Sequence, residues 1–277
     1  MKVSVSMYSL HKVVNKENWG VMDFIQYANE IQLDGVELLD IYWKDKDAEI
    51  NAINEALAAN DMKVSAYDVT NNFVSSSEEE RKTALEKVTD GIHTAKRLGT
   101  NVVRVFCGDL HGDLTYEQGQ QWIVKGLQEA AKLAEQEKVY LAIENHGLLA
   151  GRSEQVLDII SKVNSPYVKS TFDTGNFLLV HQEPTNSFTT LKEEIVHVHF
   201  KDFRKKQQED DVIGFRSIEG EELIGTIPGD GQVDLKFIVD GLKEVGYDGW
   251  LSVEYEGIEE PKAATIESVR RLRELLR

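Results

Sequence analysis

Four side chains able to share one metal ion lie at or beside the ends of four β-type runs. They are Glu144 in Val139–Glu144 (VYLAIE), Asp173 in Val168–Asp173 (VKSTFD), His199 in Ile195–Phe200 (IVHVHF) and Glu254 in Trp250–Glu254 (WLSVE). The intervals between them are 29, 26 and 55 residues, and one strand, one helix and two loops take roughly 30 residues in a parallel α/β unit. Each group is therefore expected at the carboxyl end of a parallel strand. Three carboxylates and one imidazole suit a single Mn²⁺, Mg²⁺ or Co²⁺, with Fe²⁺ and Zn²⁺ compatible. Such an ion polarises a carbonyl and acidifies the neighbouring C–H. Glu144 and Glu254, one on each flank, form a pair that can take and return a proton.

The neighbours extend the pattern. His197 and His199 are two apart, so both face the same side of their strand; His197 is expected one layer deeper, supporting the site through a hydrogen bond. His146 stands two residues after Glu144 and points inward if the strand continues, towards substrate hydroxyls. Lys201 and Arg204 open the connection that follows, where cations can bind a substrate phosphate, carboxylate or enolate oxygen. Glu37 ends an earlier strand and is expected to line the pocket.

The elements that must position these groups alternate strictly. Eight strand candidates run from Val3–Tyr8 to Leu251–Tyr255, interleaved with eight helical patterns that include Glu78–Leu98 and Tyr116–Glu137. Ser77 with Glu80, and Thr115 with Gln118, have capping-box spacing. Gly99 and Gly246 follow helix ends, where a left-handed residue is needed. Eight strand–helix units predict a single α/β domain over 1–277, a (β/α)₈ TIM barrel. An open doubly wound sheet is the alternative, but Ser9–Asn18 lacks the glycine-rich phosphate loop that fold carries after its first strand. One connection is long: between His199 and Asp234 the chain is charged and glycine-bearing, read as a loop over the catalytic face.

Composition excludes several roles. The 31 basic and 48 acidic residues give a net charge of −17, which repels nucleic acid and anionic membrane. No apolar run is long enough to span a bilayer, and Met1–Leu10 reads as a strand rather than a signal segment. The single cysteine, Cys107, is read as a buried inert thiol, and a reducing cytoplasm is the expected location.

Five segments together resemble the xylose isomerase-like TIM barrel superfamily, in its sugar phosphate isomerase/epimerase branch: Ala142–Gly147 (AIENHG), Phe172–Phe177 (FDTGNF), His197–Arg204 (HVHFKDFR), the Gly229-Asp230-Gly231 turn, and Gly246–Gly257 (GYDGWLSVEYEG). The resemblance implies one divalent ion on Glu144, Asp173, His199 and Glu254, with Glu144 and Glu254 as the acid/base pair. Asn176 occupies a substrate-contacting position at which ketohexose 3-epimerases usually carry histidine. The His-Phe-Lys-Asp segment resembles the inosose dehydratase and phosphate-sugar branches. The expected activity is isomerisation or epimerisation of a sugar or sugar phosphate by proton transfer through an enediolate. The alternative is dehydration of inosose or dehydroshikimate type, with Lys201 or His146 protonating the leaving hydroxyl; a non-catalytic sugar-binding barrel is a third reading. The partner is a small sugar, sugar phosphate or cyclitol, and the resemblance also implies a homo-oligomer.

Overall fold

In the computed structural model, which describes residues 1–277, eight parallel strands close on themselves. They are β1 (Lys2–Ser6), β2 (Gly35–Leu39), β3 (Lys63–Val69), β4 (Val102–Val105), β5 (Tyr140–Glu144), β6 (Val168–Asp173), β7 (Ile195–Phe200) and, last in sequence, β11 (Trp250–Val253). The ring runs β1-β11-β7-β6-β5-β4-β3-β2, so the first and last strands seal it through parallel pairs such as Val3 with Leu251. The TIM barrel expected from strand–helix alternation is the fold observed.

Around the ring lie α1 (His11–Glu17), α2 (Val21–Glu30), α3 (Lys46–Ala59), α4 (Glu78–Leu98), α5 (Tyr116–Glu137), α6 (Ser153–Val163), α7 (Pro184–Leu191), α8 (Leu235–Glu244) and α9 (Pro261–Leu276). The anticipated caps form. Ser77 accepts from the Glu80 amide at 3.3 Å, and Thr115 and Gln118 bond each other's backbone reciprocally. Gly99 closes α4 at φ 75°. Apolar faces of the helices pack on the outside of the strands in one cluster of 66 buried residues. Cys107 belongs to it, and burial pushes its thiol up to about 12. At pH 8 the thiol therefore stays protonated and enclosed. Native protein should resist iodoacetamide at that pH and be alkylated fully in urea, as read by intact mass.

Two features depart from the sequence reading. The glycine-free stretch after β1, where no helix was expected, contains α1; only Val13 and Val14 are buried on it and Leu10 gives no side-chain cap, so its apolar signal is too sparse to see in isolation. The long connection after β7 is not irregular. It folds into an antiparallel sheet of β8 (Asp202–Lys205), β9 (Phe215–Arg216) and β10 (Glu222–Thr226), in the order β8-β10-β9. Asp202 fastens its return. Its carboxylate accepts from the amides of Gly229, Gly231 and Val233, each at 3.0 Å. A Cβ at Gly231 would fall 2.1 Å from Asp202 Oδ1, which accounts for the glycine there.

Candidate active site

Parallel pairing sends the carboxyl ends of all eight strands to one mouth, and the four expected groups meet there. Glu144, Asp173, His199 and Glu254 are buried, with one donor atom from each lying within 4.8 Å of the others. His199 Nδ1 is 3.7 Å from Glu144 Oε2, 3.8 Å from Asp173 Oδ2 and 3.6 Å from Glu254 Oε2. These separations exceed a hydrogen bond. His199 Nδ1 and Asp173 Oδ2 have no hydrogen-bond partner at all.

Each group is held from behind. Asp173 Oδ1 accepts from the amides of Gly175 and Asn176, both at 2.8 Å, which turns Oδ2 towards the cluster. His199 Nε2 lies 2.9 Å from Glu37 Oε1, and His197 Nε2 reaches the same oxygen at the same distance. Glu37 comes from β2, so this bridge crosses the barrel interior, with β1 and β11 between. Asn176 Nδ2 donates to Glu144 Oε1 at 3.0 Å. Arg104 Nε lies 3.2 Å from Glu144 Oε2, and Arg104 Nη2 is 3.1 Å from Asp68 Oδ2. Lys201 Nζ contacts Glu254 Oε2 at 3.0 Å, Asp173 Oδ2 at 3.6 Å and the Glu256 carboxylate.

The electrostatics are lopsided. Glu37, Asp68, Glu144, Asp173, Glu254 and Glu256 supply six carboxylates against two permanent cations, Arg104 and Lys201. Burial alone would lower His199, but Glu254, Glu37 and Glu144 outweigh it and raise the imidazole well above its ordinary value. Burial would raise Asp173, yet Lys201 and His199 bring it below the usual carboxylate range. Burial lifts Asp68 well above that range, reinforced by Glu37 and opposed by Arg104. An excess of buried negative charge is unfavourable without a counter-ion. The donor set at its centre, three carboxylate oxygens and one imidazole nitrogen with His199 Nδ1 and Asp173 Oδ2 unpartnered, fits one divalent cation.

Several expected positions need correction. His146 lies beyond the strand: β5 ends at Glu144, and His146 is exposed, its ring 4.8 Å from that of Phe106, which lies over the Arg104 guanidinium. Arg204 is not free to meet an anion, because Asp210 takes both ends of its guanidinium at 2.6 and 2.7 Å. Glu37 lines no open pocket; it is fully buried beneath the two histidines. Lys201, expected to meet a substrate oxygen, lies buried among carboxylates. His197 is an interior, hydrogen-bonded histidine, as its spacing suggested. Arg104, Asp68 and Glu256 escaped the sequence reading. The available signal was one arginine inside an otherwise valine run, VVRV, since a charge in a buried strand needs a partner.

The family described as xylose isomerase-like TIM barrel matches residues 25–275. This chain belongs to that family. Among curated members, the inosose dehydratase of Lacticaseibacillus casei is 28% identical over 190 residues. That alignment covers 64% of this chain and 64% of the relative, so the chain spans less than two thirds of that protein's length. Solved xylose isomerase-like barrels superpose over nearly the whole chain. A D-tagatose 3-epimerase-like protein has a TM-score of 0.80 at 22% identity, covering 100% of this chain and 97% of its own. An IOLI protein with a bound zinc atom has a TM-score of 0.80 at 18% identity, covering 100% and 98%. These structures share the fold. No helix of the chain is long and apolar enough to cross a membrane.

Proposed function

We propose that this family member is a divalent-metal-dependent hydro-lyase acting on a cyclitol ketone of the inosose type. Glu144, Asp173, His199 and Glu254 would hold the cation, which supplies polarisation of the ketone and acidifies the adjacent C–H. The observation that carries the reading is the contact of Lys201 Nζ with Glu254 Oε2 at 3.0 Å. Glu254 takes the proton from the carbon beside the ketone, and the electron pair forms an enediolate. That enediolate expels the hydroxyl on the next carbon. The C–O bond breaks, and a proton from the Lys201 ammonium lets the group leave as water. Glu254 has then gained one proton and Lys201 has lost one, and their contact lets the proton pass back. The enol left behind tautomerises to a 1,2-diketone.

Epimerisation, expected first from the sequence, asks Glu144 to deliver a proton opposite Glu254. Glu144 accepts from Asn176 and faces the Arg104 guanidinium, which does not give up a proton, whereas Glu254 is paired with Lys201, which can; this favours elimination and leaves Glu144 as a cation ligand. The inosose dehydratase relative supports the same choice. Mn²⁺, Mg²⁺ and Co²⁺ are the first ions to test, then Zn²⁺ and Fe²⁺. A cytoplasmic location and a homo-oligomer remain part of the proposal.

The test is a panel of inososes, ketoses and ketose phosphates in D₂O followed by product NMR, with chelated protein reloaded by each ion. Water loss from an inosose that vanishes on chelation and returns with metal is the expected result. Deuterium incorporation with inversion and no water loss would assign epimerisation, and full activity after complete metal removal would remove the mechanism.

A further inference from the structure

A cavity of about 280 Å³ borders the carboxylate cluster, between the turn after β1, the small antiparallel sheet and the segment after β11. It shares Glu256 with the cluster; that carboxylate pairs with Lys201, itself 3.0 Å from Glu254. The groove therefore begins one side chain from the proposed reacting carboxylate.

Most of its polar groups are already committed, the Tyr8 phenol being an exception. Ser9 Oγ donates to the Val253 carbonyl and accepts from the Tyr255 amide, both at 2.9 Å. The two ring nitrogens of His11 meet Tyr42 and Asn15, each at 2.8 Å. Lys12 Nζ donates to the Gly257 carbonyl at 2.8 Å. Beyond the Tyr8 hydroxyl, what the groove still offers is mainly apolar. Val212, Phe215 and Ile258 are 38%, 38% and 45% exposed, and Ile213 is 94% exposed. The walls are fixed: Gly225 bridges Gly257, a Cβ at Gly225 would meet the Glu256 carbonyl oxygen at 2.4 Å, and Phe215 packs edge-on against Phe203.

We propose that this groove is a subsite for an apolar, preferably aromatic, substituent carried by the substrate's polyol ring, such as an aglycone or aryl ether. The inference rests on the carbohydrate reading above and deepens it: the ring lies at the carboxylates and the substituent lies between Tyr8 and residues 212–215, the segment leading into β9. Adjacency to the reaction centre through Glu256 and preformed walls favour this occupant. Four exposed apolar side chains fall far short of the roughly 1,200 Å² that a stable protein interface buries, so any contact between copies of the chain would have to lie elsewhere.

The experiment compares binding of methyl and phenyl β-D-glucopyranoside to the full chain by calorimetry. Phenyl glucoside should bind at least about tenfold tighter, from burial of its ring. Ile213→Asp and Phe215→Ala should each remove most of that difference and leave methyl glucoside affinity unchanged; Ile213 is so exposed that its replacement leaves folding intact. Equal affinities, or no binding of either glucoside, would overturn the subsite. So would sedimentation showing that Ile213→Asp splits an oligomer, since that result gives the surface to a second copy. The inosose turnover assay decides the underlying reading separately.

Discussion

Replacing Glu254 by glutamine should leave a folded barrel whose turnover is lower by about 10²-fold or more, the usual loss for a general acid/base. The exchange keeps shape and removes one charge, one proton acceptor and one of the four proposed cation ligands, so turnover is compared at saturating metal. Lys201 does not become an uncompensated buried charge, because Glu256 and Asp173 still face it. Thermal unfolding should therefore move little while kcat collapses, and this split distinguishes a catalytic carboxylate from a structural one. Glu144→Gln is the comparison. It removes a charge facing Arg104 and a proposed cation ligand, so its first effect should be weaker metal affinity by competition titration. If Glu254→Gln leaves inosose turnover intact and Glu144→Gln abolishes it, the two carboxylates have exchanged roles, and elimination with return of the proton through Lys201 is wrong. A barrel that merely binds sugar predicts no change in ligand affinity from either.

What was legible in the chain followed from periodicity. The eight barrel strands and their helices could be read because burial of a parallel strand demands continuous apolar runs, and because Ser77, Thr115 and Gly99 mark helix ends by local chemistry. The convergence of Glu144, Asp173, His199 and Glu254 was legible for the same reason: a fixed unit length puts successive strand ends at one mouth. Side-chain partners were not legible, because they join residues far apart in sequence. Glu37 and His199 are 162 residues apart, and nothing local to Glu37 says that it accepts from two histidines instead of lining a pocket. Arg204 looked free because Asp210 becomes its partner only once β8 turns. His146 was placed by extending the alternation two residues beyond the end of β5, where strand geometry no longer sets a side chain's direction.

Arg104→Met should be the most destabilising substitution around the mouth, by about 3–5 kcal/mol, the usual cost of removing one partner from a buried pair. For a chain of this size that corresponds to a fall in Tm on the order of 10 °C. Arg104 is 2% exposed and is the cation facing both Asp68 Oδ2 and Glu144 Oε2. Methionine fills much of the same space, so the loss reports charge more than volume. Burial and Glu37 already raise Asp68 well above its ordinary value, and Arg104 is what opposes them; without the arginine, Asp68 should take up a proton on folding. Asp68→Asn removes that requirement. The double variant should accordingly recover a large part of the stability lost in Arg104→Met, and a thermal-melt cycle across the four proteins gives the coupling directly. Simple additivity would mean that Asp68 and Arg104 do not depend on each other. Glu144 would then be the arginine's significant partner, and Arg104→Met should lower metal affinity more than it lowers Tm.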